Sequence, residues 1–579
     1  MWQWTWLRAP FSPIRHICGM RFDEHRLWKP ETLLLLASLI MLLAGNRSFL
    51  SQALSGSPVS EASTWLFGGA LVVCLLATNY LLLGMLAWGR MLKPLVAVVL
   101  LLTASTAHFI DSFGTLVDPA MLRNVLNTHW SESKELIGPR LGLALLLGAL
   151  LPAALIWRLP MLRRSWGRAL AFRLGTLALA LLIALGSIWI VFQPLSSLMR
   201  SQRDLRYMVT PVNVLWSSSV LAHRASQKPP GPWAEVGRDA VAGPSLMQAQ
   251  RPRVVVLVVG ETARAANWGL NGYARQTTPL LAQLPVISFL DVTSCGTDTE
   301  TSLPCMFAAT GRRDYDEQRI RHSENLLHVL SRAGVAVHWR DNQSGCKGIC
   351  KDFSQEMVAT LAPPDFCKSG NCMDEGLLHK LDDLLPAQGL PPGPRQAKLI
   401  VLHQLGNHGP AYYRRVPAAF KRFMPACEKD DLRLCDAASI VNAYDNALLY
   451  TDHVLATLIQ RLQARSKEVD SAVIYVSDHG ESLGEHGLFL HGMPFALAPD
   501  VQKRVPMFMW VSDGFAAARG LDMACLTKRA ASGGPVSHDH LFHTTLGLFD
   551  VATRAREPAW DLAGACTPAP ANGPVRAAP

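Results

Sequence analysis

Potential metal ligands follow two hydrophobic runs that lie more than 200 residues apart in this sequence. Glu261 follows the run Val-Val-Leu-Val-Val-Gly, and Asp478 and His479 follow the run Ala-Val-Ile-Tyr-Val-Ser. Between them, residues 295–305 form a hydroxyl-rich segment, Cys-Gly-Thr-Asp-Thr-Glu-Thr-Ser-Leu-Pro-Cys, closed by two cysteines. Carboxylates, an imidazole and an activated hydroxyl are the groups with which a zinc site generates an alkoxide nucleophile. Taken singly, Glu261 as a helix cap and His479 as a packed turn residue remain alternatives.

Alternating strand-like and helix-like segments are expected to bring these ligands together. Helical stretches such as 323–333 and 437–462 separate the strand-like runs. That alternation predicts an α/β domain with a doubly wound, mostly parallel sheet and helices on both faces. Ligands of such folds bind beyond the carboxyl ends of the strands, where Glu261, Asp478 and His479 would converge. The predicted strands are 253–259, 286–289, 335–339, 398–402, 471–476 and 506–510.

Five long apolar stretches occupy the first third of the chain. Most approach the roughly 20 residues that a helix needs to cross a bilayer. The first is short and is expected to continue to Phe49 or Leu50. Buried core helices of a soluble protein are the alternative, but five such runs would need an implausibly large core. The sequence therefore predicts an N-terminal α-helical domain with five membrane helices, at residues 32–43, 65–88, 94–110, 141–157 and 174–192.

The placement of lysine and arginine predicts the orientation of these helices. Basic residues cluster in the N-terminal segment and in alternate loops. By the positive-inside rule, the N-terminus is cytoplasmic and everything after Phe192 is exported. The first 30 residues are too polar for a cleavable signal peptide, so we expect the first helix to be a retained anchor. The clustered residues are Arg8, Arg15, Arg21, Arg26 and Lys29, then Arg90 and Lys93, then Arg158, Arg163, Arg164 and Arg168.

The positive charge of the chain belongs mostly to its membrane portion. Residues 1–200 contain 17 Lys and Arg against 8 Asp and Glu, which accounts for +9 of the formal net charge of +10. The exported portion is therefore nearly neutral. Because nucleic-acid-binding domains present basic patches, nucleic acid is not an expected partner.

Ten of the 12 cysteines lie in the exported portion, and eight of them form four pairs that are close in sequence. Such pairs in an oxidising compartment predict disulfides. A structural zinc site is the alternative, but the spacings do not follow a CxxC…CxxC pattern. Connectivity is not fixed by sequence, and Cys525 with Cys566 is the weakest pair. The four local pairs are Cys295 with Cys305, Cys346 with Cys350, Cys367 with Cys372 and Cys427 with Cys435.

Composition divides the chain into four predicted parts. Residues 1–193 form the transmembrane domain, and residues 253–565 form the exported domain that contains the candidate zinc ligands. The connecting segment 194–252 begins with helical character suited to a membrane surface and continues as a tether rich in Pro, Gly and Ala. The Pro- and Ala-rich tail, 566–579, is expected to be disordered.

Five motifs carry a family resemblance. The order Glu, then Thr or Ser, then Asp-His is the pattern of the alkaline-phosphatase-like superfamily. With five membrane helices, the chain resembles the lipid A phosphoethanolamine transferases, which include transferable colistin-resistance enzymes. The resemblance covers nearly the whole chain. The motifs are Gly-Glu-Thr-Ala-Arg at 260–264, Thr-Ser-Cys-Gly-Thr-Asp-Thr at 293–299, Ser-Leu-Pro-Cys-Met-Phe at 302–307, His-Gln-Leu-Gly-Asn-His-Gly-Pro at 403–410 and Ser-Asp-His-Gly-Glu-Ser-Leu-Gly-Glu at 477–485.

The resemblance implies a two-step, zinc-dependent transfer at the bacterial inner membrane. A threonine takes phosphoethanolamine from phosphatidylethanolamine, and the phosphothreonine passes the group to a phosphate of lipid A. The lower negative surface charge then confers polymyxin and colistin resistance. In the family pattern Thr299 is the nucleophile, with Thr297 and Thr301 as hydrogen-bonding neighbours. The implied ligands of one tightly bound Zn²⁺ are Glu261, Thr299, Asp478 and His479. A second zinc ion during turnover stays open, and we expect a monomer.

Residues that would bind the transferred group also carry over from the family. His408 and His491 resemble the histidines near the phosphoryl group, which stabilise negative charge or protonate the leaving alkoxide. Ser344 and Lys347 match substrate-binding positions, with a solvated loop charge as the alternative for Lys347. His403, at a strand end, is expected to be structural.

A third group of carried-over residues lies in the loop between the third and fourth membrane helices. Asn124, Thr128 and Glu132 fall at i, i+4 and i+8, which would place them on one helix face. In the family this face contacts the ethanolamine headgroup, and Glu132 would neutralise its ammonium. A solvated face of an interfacial helix is the alternative.

Three residues depart from the family pattern without removing a required group. Asp298 and Glu300 flank the nucleophile where small or neutral residues are expected, and His486 is an added histidine whose role stays open. The rival functions are phosphoglycerol transfer, sulfate-ester chemistry and a non-enzymatic membrane sensor. A sulfatase needs Cys or Ser in a Cys/Ser-x-Pro-x-Arg context, which does not follow Glu261. The acceptor is open too, since relatives modify core heptose, Kdo or periplasmic glucans.

Overall fold

Residue contacts divide the chain into two units in the computed structural model. The first unit contains the described residues of 1–104 and 145–201, and the second those of 105–144 and 202–567. The domain boundaries predicted at 193, 252 and 565 stay predictions. Glu132 and residues 568–579 of the predicted tail lie outside the described residues. The structure describes residues 27–55, 60–128, 133–134, 136–201, 203–226, 233–368, 371–387, 391–429 and 432–567.

Long apolar helices build the first unit. Within the described residues, four spans are long and apolar enough to cross a membrane, namely Ala62–Leu86, Gly89–Phe113, Pro139–Arg158 and Trp166–Ile190. A fifth is added if the first two helices count as one crossing. The helices of this part of the chain are α1 (Pro30–Gly45), α2 (Arg47–Ala53), α3 (Ala62–Leu86), α4 (Leu92–Phe113), α5 (Pro119–Asn127), α6 (Pro139–Leu145), α7 (Leu151–Arg158), α8 (Trp166–Ile190), α9 (Phe192–Ser201) and α10 (Val212–Ser226).

The first membrane helix does not continue straight to Phe49, as the sequence predicted. It ends at Gly45, and α2 leaves it at an angle of 63°. The break falls at Asn46, whose φ of −125° and ψ of 18° are not helical. Glycine and asparagine are poor residues for a helix interior, so a bend at this pair has a local cause.

The second unit is built around a seven-stranded sheet. Its order is β2-β7-β6-β1-β5-β3-β4, and every neighbouring pair is parallel except the two that involve β7. The prediction of a mostly parallel sheet is therefore confirmed. The strands are β1 (Arg253–Gly260), β2 (Ile287–Phe289), β3 (Ala336–Asp341), β4 (Ser354–Met357), β5 (Ala397–His403), β6 (Asp470–Ser477) and β7 (Met507–Val511).

Strand β7 is reversed because no crossover helix separates it from β6. The intervening residues 478–506 hold short turns, a two-residue ladder between Ser482–Leu483 and Phe489–Leu490 and the four-residue helix Asp500–Lys503, and they return the chain at the same end of the sheet. Parallel neighbours need a crossover of a dozen or more residues, usually helical, whereas a returning loop gives an antiparallel pair. The loop therefore stays beside the carboxyl end of β6, where the candidate ligands lie.

Every residue of β1 is buried, and its side chains alternate between two cores. Val255, Leu257 and Val259 pack in one core with α20, and the intervening valines pack in the other with α16. A strand that is buried on both faces is typical of a parallel sheet covered by helices. The helices of this unit beyond α10 are α11 (Pro244–Met247), α12 (Thr299–Met306), α13 (Glu317–Arg321), α14 (Leu326–Arg332), α15 (Val358–Leu361), α16 (Ala437–Ala464), α17 (Asp500–Lys503), α18 (Asp513–Arg519), α19 (Met523–Ala531) and α20 (Asp539–Phe549).

Disulfides join the four cysteine pairs that are close in sequence. The fifth pair, Cys525 with Cys566, is bonded as well and ties α19 to the end of the described chain. Four two-stranded ladders complete the unit, and one of them contains the Cys367–Cys372 bridge. The local bridges are Cys295–Cys305, Cys346–Cys350, Cys367–Cys372 and Cys427–Cys435.

Candidate active site

The carboxyl ends of β1 and β6 bring three acidic and imidazole side chains together. The two strands pair in parallel, with Ser477 opposite Gly260, so the residues that follow them are neighbours. Glu261, Asp478 and His479 are fully buried, and their potential ligand atoms all lie within 4.8 Å of one another. The rule that ligands bind beyond strand ends therefore locates this cluster correctly.

Thr299 adds a hydroxyl to the cluster from the first residue of α12. Its Oγ1 donates a hydrogen bond of 3.0 Å to Glu261 Oε2 and lies 3.3 Å from His479 Nε2. Asp298 caps the helix by accepting from the backbone N–H of Thr301 at 2.9 Å. Because a helix N-terminus favours negative charge, this position suits an alkoxide or a phosphate ester on Thr299.

The tautomer of His479 shows that the cluster fits a cation. Its Nδ1 lies 2.9 Å from the carbonyl of Gly480, which only accepts, so Nδ1 carries the proton. Burial lowers the pKa of His479, which leaves Nε2 as a lone pair. That lone pair lies 3.4 Å from both Glu261 Oε1 and Asp478 Oδ2. Electron-rich atoms buried face to face are repulsive unless a metal ion lies between them.

Gln343 is a member of the site that the sequence analysis missed. Its Nε2 donates a hydrogen bond of 2.7 Å to Glu261 Oε2, the same oxygen that accepts from Thr299. It lies two residues beyond the end of β3, so the strand-end rule would have found it. Its Oε1 accepts from Ser344, whose hydroxyl accepts from Lys347 Nζ at 2.6 Å. The two predicted substrate-binding residues therefore connect to the cluster through Gln343.

His491 lies beside the cluster and pairs with a buried carboxylate. Its Nδ1 donates a hydrogen bond of 2.7 Å to Glu481 Oε2, and Tyr412 donates to the other oxygen of that carboxylate at 2.6 Å. Burial alone would lower the pKa of His491, but the Glu481 carboxylate outweighs it and raises the pKa. The His491 and His479 ring centroids are 4.4 Å apart. An imidazole with a raised pKa therefore lies next to His479.

His408 is the neutral counterpart of His491. The two ring centroids are 5.5 Å apart. Burial, together with the neighbouring positive charge of His491, lowers the pKa of His408 well below its usual value. Its Nδ1 accepts or donates no hydrogen bond among the described residues. The pair thus offers one imidazole with a raised pKa and one with a lowered pKa.

Backbone contacts fix the loop of His491 against the nucleophile segment. The N–H of Gly492 donates to the carbonyl of Thr297 at 2.8 Å, and the Thr297 hydroxyl donates to the carbonyl of Met493. Leu490 has a φ of 65°, which is unusual for a branched side chain and is held only where the surroundings determine it. Thr297 is accordingly a loop residue, outside the cluster itself.

The prediction that one helix continues from Asn124 through Thr128 was wrong, and Glu132 lies outside the described residues. Helix α5 ends at Asn127, and Thr128 is extended with a ψ of 131°. The Thr128 hydroxyl donates to the carbonyl of Asn124 at 2.7 Å, a local bond that competes with helix continuation. The helix is nevertheless close to the site, because a Cβ added at Gly492 would lie 3.5 Å from Met121 Sδ.

The departures from the family pattern lie around the cluster rather than in it. Asp298 is the cap of α12, and Glu300 pairs with Arg321 at 2.7 Å. His486 occupies the turn Glu485–Gly487, outside the three-ligand cluster. His403 pairs with Asp341 at 2.8 Å in the sheet interior, which is a structural role.

Known proteins resemble this chain over almost its full length. The Sulfatase family model matches residues 253–551, and the Phosphoethanolamine transferase EptA/EptB model matches residues 75–225. Phosphoethanolamine transferase EptA of Escherichia coli K12 is 34% identical over 92% of this chain and 96% of its own length. Phosphatidylethanolamine transferase Mcr-1 of Escherichia coli is 35% identical over 90% of this chain and 95% of its own.

A solved structure gives the same relationship in three dimensions. The integral membrane lipooligosaccharide phosphoethanolamine transferase A of Neisseria meningitidis superposes with a TM-score of 0.87 at 36% identity. The match covers 93% of this chain and 98% of that protein. It therefore includes both units and the cluster at the carboxyl ends of β1 and β6.

Proposed function

This chain belongs to the phosphoethanolamine transferase family, and on that premise we propose that it transfers phosphoethanolamine from phosphatidylethanolamine to a phosphate of lipid A. The observation that carries the proposal is the buried contact of the Thr299 hydroxyl with Glu261 and His479. A hydroxyl held by a carboxylate and an imidazole in a metal-binding cluster is suited to nucleophilic attack on phosphorus. The product would carry less negative charge and would bind polymyxins and colistin less tightly.

Zinc is the cofactor that these residues favour. Glu261, Asp478, His479 and Thr299 would hold it, a set of nitrogen and oxygen donors that suits four-coordinate Zn²⁺. When bound, zinc lowers the pKa of a hydroxyl and polarises a phosphoryl oxygen. Gln343 would orient Glu261 through the hydrogen bond to Oε2, and Gly480 would orient His479 through Nδ1.

The first half of the reaction makes a phosphothreonine. The Thr299 hydroxyl gives its proton to Glu261 Oε2, the oxygen that already accepts its hydrogen bond, and Oγ1 forms the new bond to phosphorus as the bond from phosphorus to the diacylglycerol oxygen breaks. His491 donates its proton to that departing oxygen, a role supported by the Glu481 carboxylate, which raises its pKa. His408, Ser344 and Lys347 would bind the phosphoryl oxygens. Asn124, Thr128 and Glu132 would bind the ethanolamine.

The second half returns the enzyme to its starting state. An oxygen of the acceptor phosphate attacks the phosphothreonine, and the bond from phosphorus to Thr299 Oγ1 breaks. Glu261 returns its proton to Thr299 Oγ1, and His491 regains a proton from the hydroxyl of the acceptor phosphate, so both residues end in their starting states. Neither half of the reaction consumes water. Because the cluster is buried, water has limited access to the phosphothreonine, which limits its hydrolysis.

The topology proposed with this function places the chemistry at the periplasmic surface. Five crossings would put the N-terminus in the cytoplasm and the second unit in the periplasm, with the enzyme acting as a monomer. Cysteine-reactive labelling of single-cysteine variants in the loops would test the orientation. Labelling of the Arg90 loop from the periplasm would contradict it.

Mass spectrometry of lipid A from cells that express the protein tests the function. We expect added phosphoethanolamine with the wild type and none with Thr299→Ala. Thr301→Ala is the matched control, because the described contact of Thr301 with Asp298 uses its backbone N–H. Phosphoethanolamine found only on Kdo, core heptose or a periplasmic glucan would reject lipid A as the acceptor. Phosphoglycerol addition would reject the donor.

A further inference from the structure

One end of the first unit encloses a cavity with strongly basic walls. The start of α1, the turn between α3 and α4, and the loop before α8 meet there around a volume of about 620 Å³. Among the described residues that line it, Glu31 is the only carboxylate. The cationic side chains in its wall are Arg90, Lys93, Arg163, Arg164 and Arg173.

The positive charge of this cavity is largely uncompensated. Glu31 pairs with Arg164 at 2.7 Å. Lys93 Nζ donates to two backbone carbonyls, of Trp157 at 2.8 Å and of Leu159 at 2.7 Å, which satisfy its hydrogen bonds without neutralising its charge. No described carboxylate pairs with the three remaining arginines of the wall. An anion is the ligand that would complete this arrangement.

Arg173 distinguishes this cavity from a cluster of loop arginines that only sets the orientation of the membrane helices. It is the eighth residue of α8, well inside a span long enough to cross the membrane, and it is only 5% exposed. Its Nη2 donates to the carbonyl of Ala87 at 3.1 Å, and its Nη1 has no hydrogen-bond partner among the described residues. The positive-inside rule calls for basic residues in loops, not for a buried arginine within a helix. Ionisable residues inside membrane segments mark functional sites.

An apolar groove continues from the basic cavity along the same helix. It has a volume of about 430 Å³ and shares Glu31 with the cavity. On α8, Arg173 lines the cavity, and Thr176, Leu179 and Ile183 line the groove. This spacing of three, three and four residues places all four on one helix face. The combined site is therefore cationic at one end and apolar along the membrane interior.

We propose that the first unit binds one anionic phospholipid at this site. Its phosphate lies among Arg90, Arg163 and Arg173, and an acyl chain lies in the groove along α8. A free inorganic anion would fill only the basic cavity and leave the groove along α8 empty. The groove therefore favours a lipid as the ligand. The net positive charge favours an anionic headgroup over phosphatidylethanolamine, whose ammonium would meet only the already paired Glu31. The site is thus distinct from that of the proposed donor substrate.

Native mass spectrometry of the purified full-length protein tests the proposal. After delipidation, equal amounts of phosphatidylglycerol, phosphatidylethanolamine and phosphatidylcholine are offered, and the lipid retained per protein is measured. We expect the wild type to prefer phosphatidylglycerol. The double variant Arg90→Gln with Arg163→Gln, at two exposed positions, should reduce that retention by about fivefold or more.

Two controls separate this site from general surface charge. Arg158→Gln with Arg168→Gln removes two exposed arginines, at the end of α7 and in the first turn of α8, that do not line the cavity, and retention should stay within about twofold. Thr176→Phe fills the groove and leaves the cationic wall intact, so it should also reduce retention. The thermal unfolding midpoint of each variant reports whether it is folded.

Three results would overturn the proposal. One is equal retention of phosphatidylcholine and phosphatidylglycerol by the wild type. Another is an equal loss in the Arg158 and Arg168 control. The third is displacement of phosphatidylglycerol by millimolar inorganic phosphate with retention unaffected by Thr176→Phe, which would make the cavity a site for a free anion.

Discussion

A single carboxylate oxygen, Glu261 Oε2, accepts hydrogen bonds from both Thr299 and Gln343. The other oxygen of Glu261 faces His479 Nε2. One side chain thereby connects the potential nucleophile, the metal ligands and the substrate loop. Substitutions of single residues around Glu261 should therefore distinguish loss of the metal from loss of transferase activity.

We expect His479→Ala and Glu261→Ala to lose zinc and transferase activity together. Each removes a donor from a four-ligand site, so the affinity should fall by more than about 100-fold. Metal analysis of the purified variants is the measurement. His486→Ala is the matched control and should keep its zinc, because His486 lies outside the cluster. Full zinc occupancy in His479→Ala would exclude that residue as a ligand.

Gln343→Ala should weaken zinc binding while leaving all proposed ligands in place. It removes the 2.7 Å hydrogen bond that orients Glu261, and such supporting contacts change metal affinity by roughly 10- to 100-fold. Competition with a chelator of known affinity measures the effect. Gln355→Ala provides a control on the neighbouring strand β4. An unchanged affinity in Gln343→Ala would limit Gln343 to a role in substrate binding.

The buried pair of Asp341 and His403 should make stability depend on pH. Burial alone would raise the pKa of Asp341, but His403 and hydrogen bonds from Trp339 and Gln343 outweigh it and lower the pKa to about 2. A carboxyl whose pKa is lowered on folding stabilises the fold above its unfolded pKa. We expect roughly 2–3 kcal/mol from it, lost as the pH falls from about 4 to about 2.

Denaturant titrations at several pH values measure that contribution. The difference in unfolding free energy between wild type and Asp341→Asn should shrink between pH 4 and pH 2. A difference that stays constant over this interval would contradict the assignment.

At the scale of elements, ion pairs connect the nucleophile helix to α5. Glu300 on α12 pairs with Arg321 at 2.7 Å, Arg321 pairs with Glu317 at 3.2 Å, and Glu317 pairs with Arg123 on α5. The carboxylate of Glu300, which follows Thr299, is therefore paired with the guanidinium of Arg321. This pairing explains how an acidic residue is accommodated beside the nucleophile.

Arg321→Ala should destabilise the protein more than Glu300→Ala does. The Glu300 side chain is 6% exposed, whereas that of Arg321 is 30% exposed. Loss of Arg321 leaves a buried carboxylate unpaired, at a cost of about 3–5 kcal/mol, whereas loss of Glu300 leaves an arginine that still reaches Glu317 and water. Thermal unfolding of both single variants and the double variant tests this asymmetry. Equal losses in the two single variants would show that Glu300 is not effectively buried.

Local sequence rules predicted the secondary-structure elements and the clustering of Glu261, Asp478 and His479 better than they predicted the connections between elements. Glu261 and Asp478 could be located because a strand end is visible in sequence and parallel strands align their ends. The reversal of β7 could not, because it depends on how residues 478–506 fold. The early end of α5 was missed because a periodicity argument does not weigh the competing bond of Thr128.

At the scale of the whole molecule, the second unit includes chain from both sides of the last membrane helices. Residues 105–144 belong to it together with residues 202–567. Arg123 pairs with Glu317, and Met121 lies beside Gly492. The catalytic residues and the helix proposed to bind ethanolamine are thus parts of one folded body.

A soluble fragment from Pro229 onward should fold and bind zinc without modifying lipid A in cells. It keeps the sheet, the disulfides and the candidate ligands, but it lacks α5 and α10. Substrate positioning contributes several kcal/mol to such reactions, so we expect slow turnover of small soluble analogues only. Zinc analysis and lipid A mass spectrometry are the measurements, with the full-length protein as the control. Lipid A modification by the fragment at the full-length level would show that the first 228 residues serve only as an anchor.

The discontinuous second unit also sets an order of events during synthesis. Residues 105–144 leave the ribosome early, yet their contacts with Leu488 and Gly492 form only after roughly 350 more residues have been made. At about 5–20 residues per second, that wait is on the order of 20–70 s. Throughout it, α5 has no catalytic loop to pack against. Maturation of the enzyme is therefore timed by the export of its last third, and a chain stalled before Leu488 would display an assembled membrane anchor without a working active site.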